Sequence, residues 1–365
     1  MSDVGHMRAA IALARRGLGD VWPNPAVGCV IVRKGRVVGR GWTQPGGRPH
    51  GETEALGRAG AAARGATAYV SLEPCCHWGK TPPCTDALIA AGLARVVIPI
   101  EDPDPRVSGQ GIARLRAAGI AVETGLCADE AAELNAGFLL RMRAGRPLVT
   151  LKLATTLDGR IATRSGESQW ITGPLARDRA HALRASHDAV MVGSNTVIAD
   201  DPQLTCRLPG LAHRSPVRVV VDSRLRVPLT ARVIAEARQV PTWFLTLRDN
   251  DPLRQEAFRS CGVELIEVAG DNGAGVEIGE GLRALGQRGL TRILVEGGAH
   301  LAASLLRDRL VDRLAWFRAP RLIGGDGIPA VVAFGLEHLA EAPGFERSGL
   351  IEAGEDVLET YRRAP

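Results

Sequence analysis

Apolar residues change period repeatedly along the first 125 positions. Met7, Ile11, Ala14 and Leu18 recur at helical spacing; the run AVGCVIV, the pair Lys34-Gly35 and the run RVVGRGW then read as two strands joined by a tight turn. Beyond this hairpin the pattern predicts a helix from near His50, a strand in ATAYVSL and a helix in CTDALIAAGL. A strand in RVVIPI, a helix in GIARLRAAG and a strand in IAVETG follow. This alternation predicts an α/β layered domain, a sheet covered by helices. Residues 128–143 read as one further helix that ends at Ala144-Gly145-Arg146-Pro147, which places a domain boundary between 1–146 and 147–365. The second half opens with a strand in LVTLKLATTLDGRIA and runs on through HDAVMVGSNTV, PVRVVVDS, PTWFLTL, VELIEV, TRILVEGG and RLAWFRAP. Most are β-rich runs closed by Gly, Asp or Pro, with helical stretches between them, and they predict a second α/β domain. No fixed-period repeat relates the halves.

Composition narrows the functional classes. A chain of 365 residues suits two cores, and its 45% hydrophobic and 23% charged shares are those of a soluble globular protein. The N-terminus lacks a basic and apolar leader and no apolar run approaches the roughly 18 residues of a membrane span, so a cytoplasmic protein with no membrane partner is expected. In a reducing compartment seven cysteines, an odd number, point to metal ligands or buried packing rather than disulfides. The net charge of +5 comes from scattered arginines, which suits small phosphorylated ligands better than a nucleic-acid track. Such α/β enzymes are commonly symmetric, and a homo-oligomer is the expectation.

Chemistry concentrates in His50-Gly51-Glu52 and in PCCHWGKTPPC, residues 74–84. A catalytic zinc takes three protein ligands and leaves one position for water; His50, Cys75 and Cys84 make three. Glu52 then stands where a general acid/base faces that water. In zinc deaminases the activated water attacks the carbon bearing an exocyclic amine while a glutamate moves the protons. Cys84 opens a predicted helix, whose positive end favours a thiolate. Cys76 points away from Cys75 in an extended turn, and His77 as a fourth ligand would displace the water. In the second half Glu296-Gly297-Gly298-Ala299-His300 lies between a strand and a helix, an arrangement in which backbone N–H groups hold phosphate. It is not Gly-x-Gly-x-x-Gly, so no Rossmann fold is implied. Lys152, Asp158 and Asp200 lie near strand ends, where α/β ligand sites collect.

Asn24-Pro25-Ala26-Val27-Gly28-Cys29-Val30-Ile31-Val32, His50-Gly51-Glu52, Glu73-Pro74-Cys75, Gly79-Lys80-Thr81-Pro82-Pro83-Cys84 and Glu101-Asp102-Pro103-Asp104-Pro105 together resemble the deaminase domain of the bifunctional riboflavin-biosynthesis deaminase/reductases. LKLATTLDGRIA, SQWITG, VMVGSNTVIADDPQLTCR, VVVDS and ILVEGGAHLAASLL resemble the reductase domain of the same family. The resemblance implies a cytidine-deaminase-like three-layer α/β/α domain, a dihydrofolate-reductase-like α/β domain, zinc, NADPH and a phosphoribosylamino-pyrimidine substrate. It implies that Asn24 and Lys80 contact substrate in the first domain. In the second it implies that Ala154, Trp170, Thr196, Asp200, Ser223 and the run Gly298, Ala299, His300, Leu301, Ala302, Ala303 and Ser304 hold the cofactor. Ser168, Arg184, Leu204, Arg207 and Glu296 would hold substrate, with the arginines on its phosphate and Lys152 as the catalytic group near the reacting sugar. Two positions depart from the family pattern: Thr43 stands where a histidine is usual, and Gly51 where an alanine is. A base deaminase with an RNA-binding appendage is the alternative; scattered charge and an aromatic share of 4% weigh against it. A purely structural zinc site would leave Glu52 without a task.

Overall fold

A computed structural model describes residues 2–270 and 275–364, which form two compact units, Met1–Gly145 and Arg146–Pro365. Among the described residues no helix is long and apolar enough to cross a membrane.

The first unit contains α1 (Asp3–Ala14), β1 (Gly28–Arg33), β2 (Arg36–Trp42), α2 (Gly51–Ala59), β3 (Thr67–Val70), α3 (Cys84–Ala90), β4 (Arg95–Ile98), α4 (Gln110–Ala117), β5 (Ala121–Thr124), α5 (Ala128–Leu134) and α6 (Ala136–Ala144). Its five strands lie in the order β2-β1-β3-β4-β5; β1 is antiparallel to both neighbours, and β3, β4 and β5 are parallel. The β1–β2 turn works because Lys34 and Gly35 both adopt positive φ (48° and 73°), the geometry whose twist matches that of the flanking strands. Alternating side chains of β1 serve two layers. Val30 and Val32 pack with Met7, Ile11 and Ala14 of α1 and with Leu134 of α5. Cys29 and Ile31 pack with Ala55, Leu88 and Leu115 on the opposite face. Each fully buried aliphatic side chain contributes roughly 1.5–3 kcal/mol.

The single helix expected over 128–143 is two. Asn135 interrupts it because its amide is committed elsewhere, accepting from Ala26 N and donating to Ala26 O at 3.0 Å each.

The second unit contains β6 (Leu148–Thr156), β7 (Arg160–Ala162), α7 (Pro174–Ala185), β8 (Ala189–Gly193), α8 (Ser194–Asp200), β9 (Val217–Val221), α9 (Arg232–Ala235), β10 (Thr242–Leu247) and α10 (Pro252–Ser260). After these come β11 (Glu264–Val268), α11 (Ile278–Gln287), β12 (Arg292–Glu296), α12 (Ala299–Arg307), β13 (Arg313–Ala319), β14 (Ile328–Pro329), β15 (Phe345–Ala353) and β16 (Asp356–Arg363). Nine strands form one sheet in the order β11-β10-β9-β8-β12-β6-β13-β16-β15, parallel from β11 to β13 and closed by an antiparallel hairpin.

Two features differ from the pattern reading. The strand expected across LVTLKLATTLDGRIA is cut at residues 157–159, where Thr156 Oγ1 bonds Asp158 and caps the turn. The β15–β16 hairpin is additional; β15 exposes most of its side chains, so no apolar alternation announces it.

Candidate active sites

In the first unit the site lies beyond the carboxyl ends of β3 and β4, where parallel α/β sheets gather ligands. The chain leaving β3 carries Cys75, the chain leaving β4 carries Asp102, and His50 caps α2. Gly51 lets α2 come close to β1: a Cβ there would stand 2.6 Å from the Val27 carbonyl oxygen. Ligand atoms of His50, Cys75 and Cys84 all lie within 4.8 Å of one another, with His50 Nδ1 3.2 Å from Cys84 Sγ and 3.6 Å from Cys75 Sγ. Tetrahedral zinc with these bond lengths sets such N···S pairs about 3.6 Å apart, so the donor set fits the ion in both chemistry and spacing. Glu52 is 3% exposed, and its Oε2 has no hydrogen-bond partner. Burial raises its pKa. An acid with an unused oxygen beside three metal donors is suited to handling a metal-bound water's protons.

Cys84 was expected to benefit from the helix end, but that assistance falls on Cys75. The Cys84 backbone N–H donates to Cys75 Sγ at 3.3 Å, while the Cys84 thiol, with His50, holds the Cys75 thiol down at about 4 against its burial. The Cys84 thiol is pushed up, first by Cys75 and then by burial. Cys76 donates to the Arg106 carbonyl and lies outside the donor set, as does His77.

The cavity beside these donors measures about 230 Å³. Asn24 lines it; Lys80 is exposed and does not, although its neighbours Gly79 and Thr81 do. Thr43 lines it but spends its hydroxyl on backbone, accepting from Val27 N at 3.0 Å with the Pro25 and Val27 carbonyls 3.3 Å away. Sequence reasoning assigned no role to Arg48, Asp102, Asp104 or Arg106, all of which line the cavity. The Glu101–Pro105 run was visible as a motif, but nothing local told which of its carboxylates turns inward. Burial pushes the Asp102 carboxyl up to about 7. Glu73 fastens this segment by accepting from the backbone N–H groups of Asp102, Gly109 and Ile112 at 3.0–3.1 Å.

The second unit's cavity is larger, about 820 Å³. In the β12–β6 register Glu296 stands opposite Lys152, with Nζ 3.8 Å from the carboxylate. Arg184 donates to Glu296 from Nε at 2.5 Å and from Nη2 at 3.0 Å, and its Nη1 donates to the Thr205 carbonyl at 2.9 Å. Burial pushes the Glu296 carboxyl up, yet Arg184 and Lys152 outweigh it and hold the group at about 2. Arg184 is thus engaged within the protein rather than standing free as a phosphate clamp. Arg207, largely exposed, makes no such ion pair among the described residues.

Lys152, Ser168, Trp170, Arg184, Thr196, Asp200, Leu204, Arg207 and Glu296 all reach this cavity. Ala154, Ser223 and the run from Gly298 to Ser304 lie outside its lining. Within that run the side chains of Ala299, Leu301, Ala302 and Ala303 are buried, at most 9% exposed, whereas Gly298, His300 and Ser304 are not. Gly297 and Gly298 have φ near +80°, and a Cβ on either would meet Thr196 at 3.4 Å. Positive φ favours glycine at both positions, Gly297 lines the cavity beside Thr196, and the cavity volume is that of a small-molecule site. His181 lines the cavity as well, its Nδ1 accepting from Arg207 N at 3.4 Å.

A three-layer unit with a His/Cys/Cys/Glu centre and a parallel-sheet unit with a large ionic cavity fit the zinc deaminase and the reductase that the sequence resemblance implies. Comparison with known proteins places the chain further. Residues 1–100 match the cytidine and deoxycytidylate deaminase zinc-binding region, and residues 147–357 match the RibD C-terminal domain. The riboflavin biosynthesis protein RibD of Escherichia coli strain K12 is 44% identical over 98% of both chains; that of Bacillus amyloliquefaciens is 42% identical over 97% of this chain and 95% of its own. Among solved structures, Acinetobacter baumannii RibD superposes with a TM-score of 0.89 at 40% identity, covering 100% of this chain and 99% of that one. A Thermotoga maritima diaminohydroxyphosphoribosylaminopyrimidine deaminase/5-amino-6-(5-phosphoribosylamino)uracil reductase gives 0.86 at 35% identity over 99% and 98%.

The chain belongs to the RibD family and is a bifunctional deaminase/reductase of riboflavin biosynthesis. Its deaminase unit is of the zinc-binding type, its reductase unit is of the type that uses a nicotinamide cofactor, and the RNA-directed alternative is not favoured.

Proposed function

We propose that residues 1–146 hydrolytically deaminate 2,5-diamino-6-(5-phosphoribosylamino)pyrimidin-4-one and that residues 147–365 then reduce the ribosyl side chain to ribityl with NADPH. The observation that carries the first step is the unpartnered Glu52 oxygen beside His50, Cys75 and Cys84. Bound there, zinc supplies charge that brings the pKa of a coordinated water toward neutrality. With zinc held by His50, Cys75 and Cys84, Glu52 would take a proton from the attacking water, pass one to the ring nitrogen and return one to the departing amine. Water enters and ammonia leaves, so no redox change occurs. Asn24 and Asp102 line the cavity and offer hydrogen bonds to the pyrimidine, Asp102 as a donor when protonated.

In the second unit the cofactor supplies a hydride to C1′ of the opened ribosylamine. Thr196, Asp200, Trp170 and the Gly297-Gly298 turn would hold the cofactor, with Ser168, Leu204 and Arg207 on the phosphorylated sugar. Lys152, 3.8 Å from the Glu296 carboxylate, faces the same cavity and is the group placed to steady or supply the proton that accompanies the hydride. The Thermotoga maritima relative bears the names of both of these reactions, which supports the substrate assignment.

The test is an assay of zinc-loaded protein with the phosphoribosylamino-pyrimidine, following ammonia release and NADPH oxidation separately. Ammonia is expected first and NADPH oxidation after it. Absence of both at full zinc occupancy would overturn the assignment.

A further inference from the structure

The deaminase cavity has a charge pattern that its substrate must answer. Four carboxylates line it, and all are engaged; Asp102 accepts from Asp104 N at 2.9 Å. Glu52 belongs to the metal centre, Glu73 accepts three backbone N–H groups, and Asp104 accepts from the Arg106 guanidinium at 3.0–3.1 Å. Arg106 therefore has its charge balanced within the protein. Arg141, further round the wall, donates to the Pro23 carbonyl. Arg48 differs: it donates to the neutral Thr81 hydroxyl and forms no ion pair among the described residues. A half-buried guanidinium on a cavity wall without a carboxylate is a standing attraction for an anion.

The backbone holds Arg48 in place before any ligand arrives. Gln44 N donates to Pro49 O and Gly47 N to Gln44 O, at 3.0 and 2.9 Å, closing the loop that carries Arg48. Gly47 lies so close to Asn24 that a Cβ there would meet Asn24 Nδ2 at 1.8 Å. Arg48 and Asn24 therefore sit on one rigid wall. The two nearby positions at which the family pattern would place a basic side chain do not supply a cation to the cavity: Thr43, where a histidine is usual, is 2% exposed and spent on backbone, and Lys80 is exposed and outside the lining. Arg48 reaches across to the loop in which Lys80 lies, bonding its neighbour Thr81.

We propose that Arg48 is the phosphate-recognising residue of the deaminase cavity, exchanging its Thr81 contact for the 5′-phosphate of the substrate and thereby selecting phosphorylated over unphosphorylated pyrimidines. The proposal rests on the deamination reaction given above and adds to it a specificity determinant. Arginine's planar fork pairs bidentately with phosphate oxygens, so the interaction carries direction as well as charge.

The test compares ammonia release by the full-length zinc-loaded chain on the phosphorylated substrate and on the same compound without its phosphate. Arg48→Gln is expected to raise KM for the phosphorylated compound on the order of 10- to 100-fold, what loss of a charged hydrogen bond gives, with KM for the other compound unchanged. Arg48→Lys keeps the charge and is expected to retain much of the preference. Thr81→Ala removes the resting contact and is expected to keep the preference in full. Equal losses on both compounds in Arg48→Gln would mean a merely structural residue and would overturn the proposal, as would no change on either. No ammonia from either compound with the wild-type chain would remove the deamination reaction itself, and the proposal with it.

Discussion

The two cavities of this chain solve opposite problems. In the deaminase unit three ligand atoms lie within 4.8 Å of one another, and an acid with an unused oxygen stands beside them. Its chemistry is left open for an ion and a water. In the reductase unit the strongest charges already answer one another, with Glu296 held by Arg184 and Lys152. The difference teaches how to read the two charged centres: one has open donors for a metal, whereas the other is a finished ionic frame on the wall of a larger cavity.

The largest expected effect comes from breaking that frame. Glu296→Gln leaves two cations in a largely buried site, and removing one partner of such a network costs about 3–5 kcal/mol. Urea unfolding should show this loss, NADPH oxidation should fall with it, and zinc content and ammonia release should persist. Equal loss of both activities in protein that remains folded would show that the units do not act separately.

A smaller effect comes from pH. Burial holds His187 neutral down to about 4, while its Nε2 contacts Thr150 Oγ1 and its Nδ1 the Leu183 carbonyl. In the unfolded chain the imidazole takes a proton near 6.5, so between these values the unfolded state binds more protons. The stability His187 contributes is present in full above pH 6.5 and is lost as pH falls toward 4, by up to about 3 kcal/mol. The slope of stability against pH across that window should flatten in His187→Gln; an unchanged slope would assign the pH dependence to other groups.

These contrasts also explain what the residues disclosed in advance. The donors His50, Cys75 and Cys84 were legible because zinc restricts ligand type and number, and because two of them flank one short loop. The strands were legible wherever both faces are buried, as in β1, β8 and β12. What escaped depends on distant partners. Asn135 breaks its helix for Ala26, 109 positions away; Arg184 meets Glu296 across 112 positions; and Arg48 crosses to Thr81 across 33. The β15–β16 hairpin escaped for another reason, since the exposed edge strand of a sheet carries little apolar pattern. Family resemblance pointed to Lys80, which is exposed and lies outside the cavity lining, whereas Arg48, which no motif singled out, lies on it.

The central claim is that deamination and reduction are carried by separate residues on separate units, with Glu52 moving the protons of the first. The direct measurement is Glu52→Gln in full-length, zinc-loaded protein, with ammonia release followed on the phosphoribosylamino-pyrimidine and NADPH oxidation on its deaminated product. Ammonia release is expected to fall by roughly 10²- to 10⁴-fold, the usual share of a general acid/base, with bound zinc and NADPH oxidation unchanged. Undiminished ammonia release, or parallel loss of NADPH oxidation in the folded variant, would contradict it.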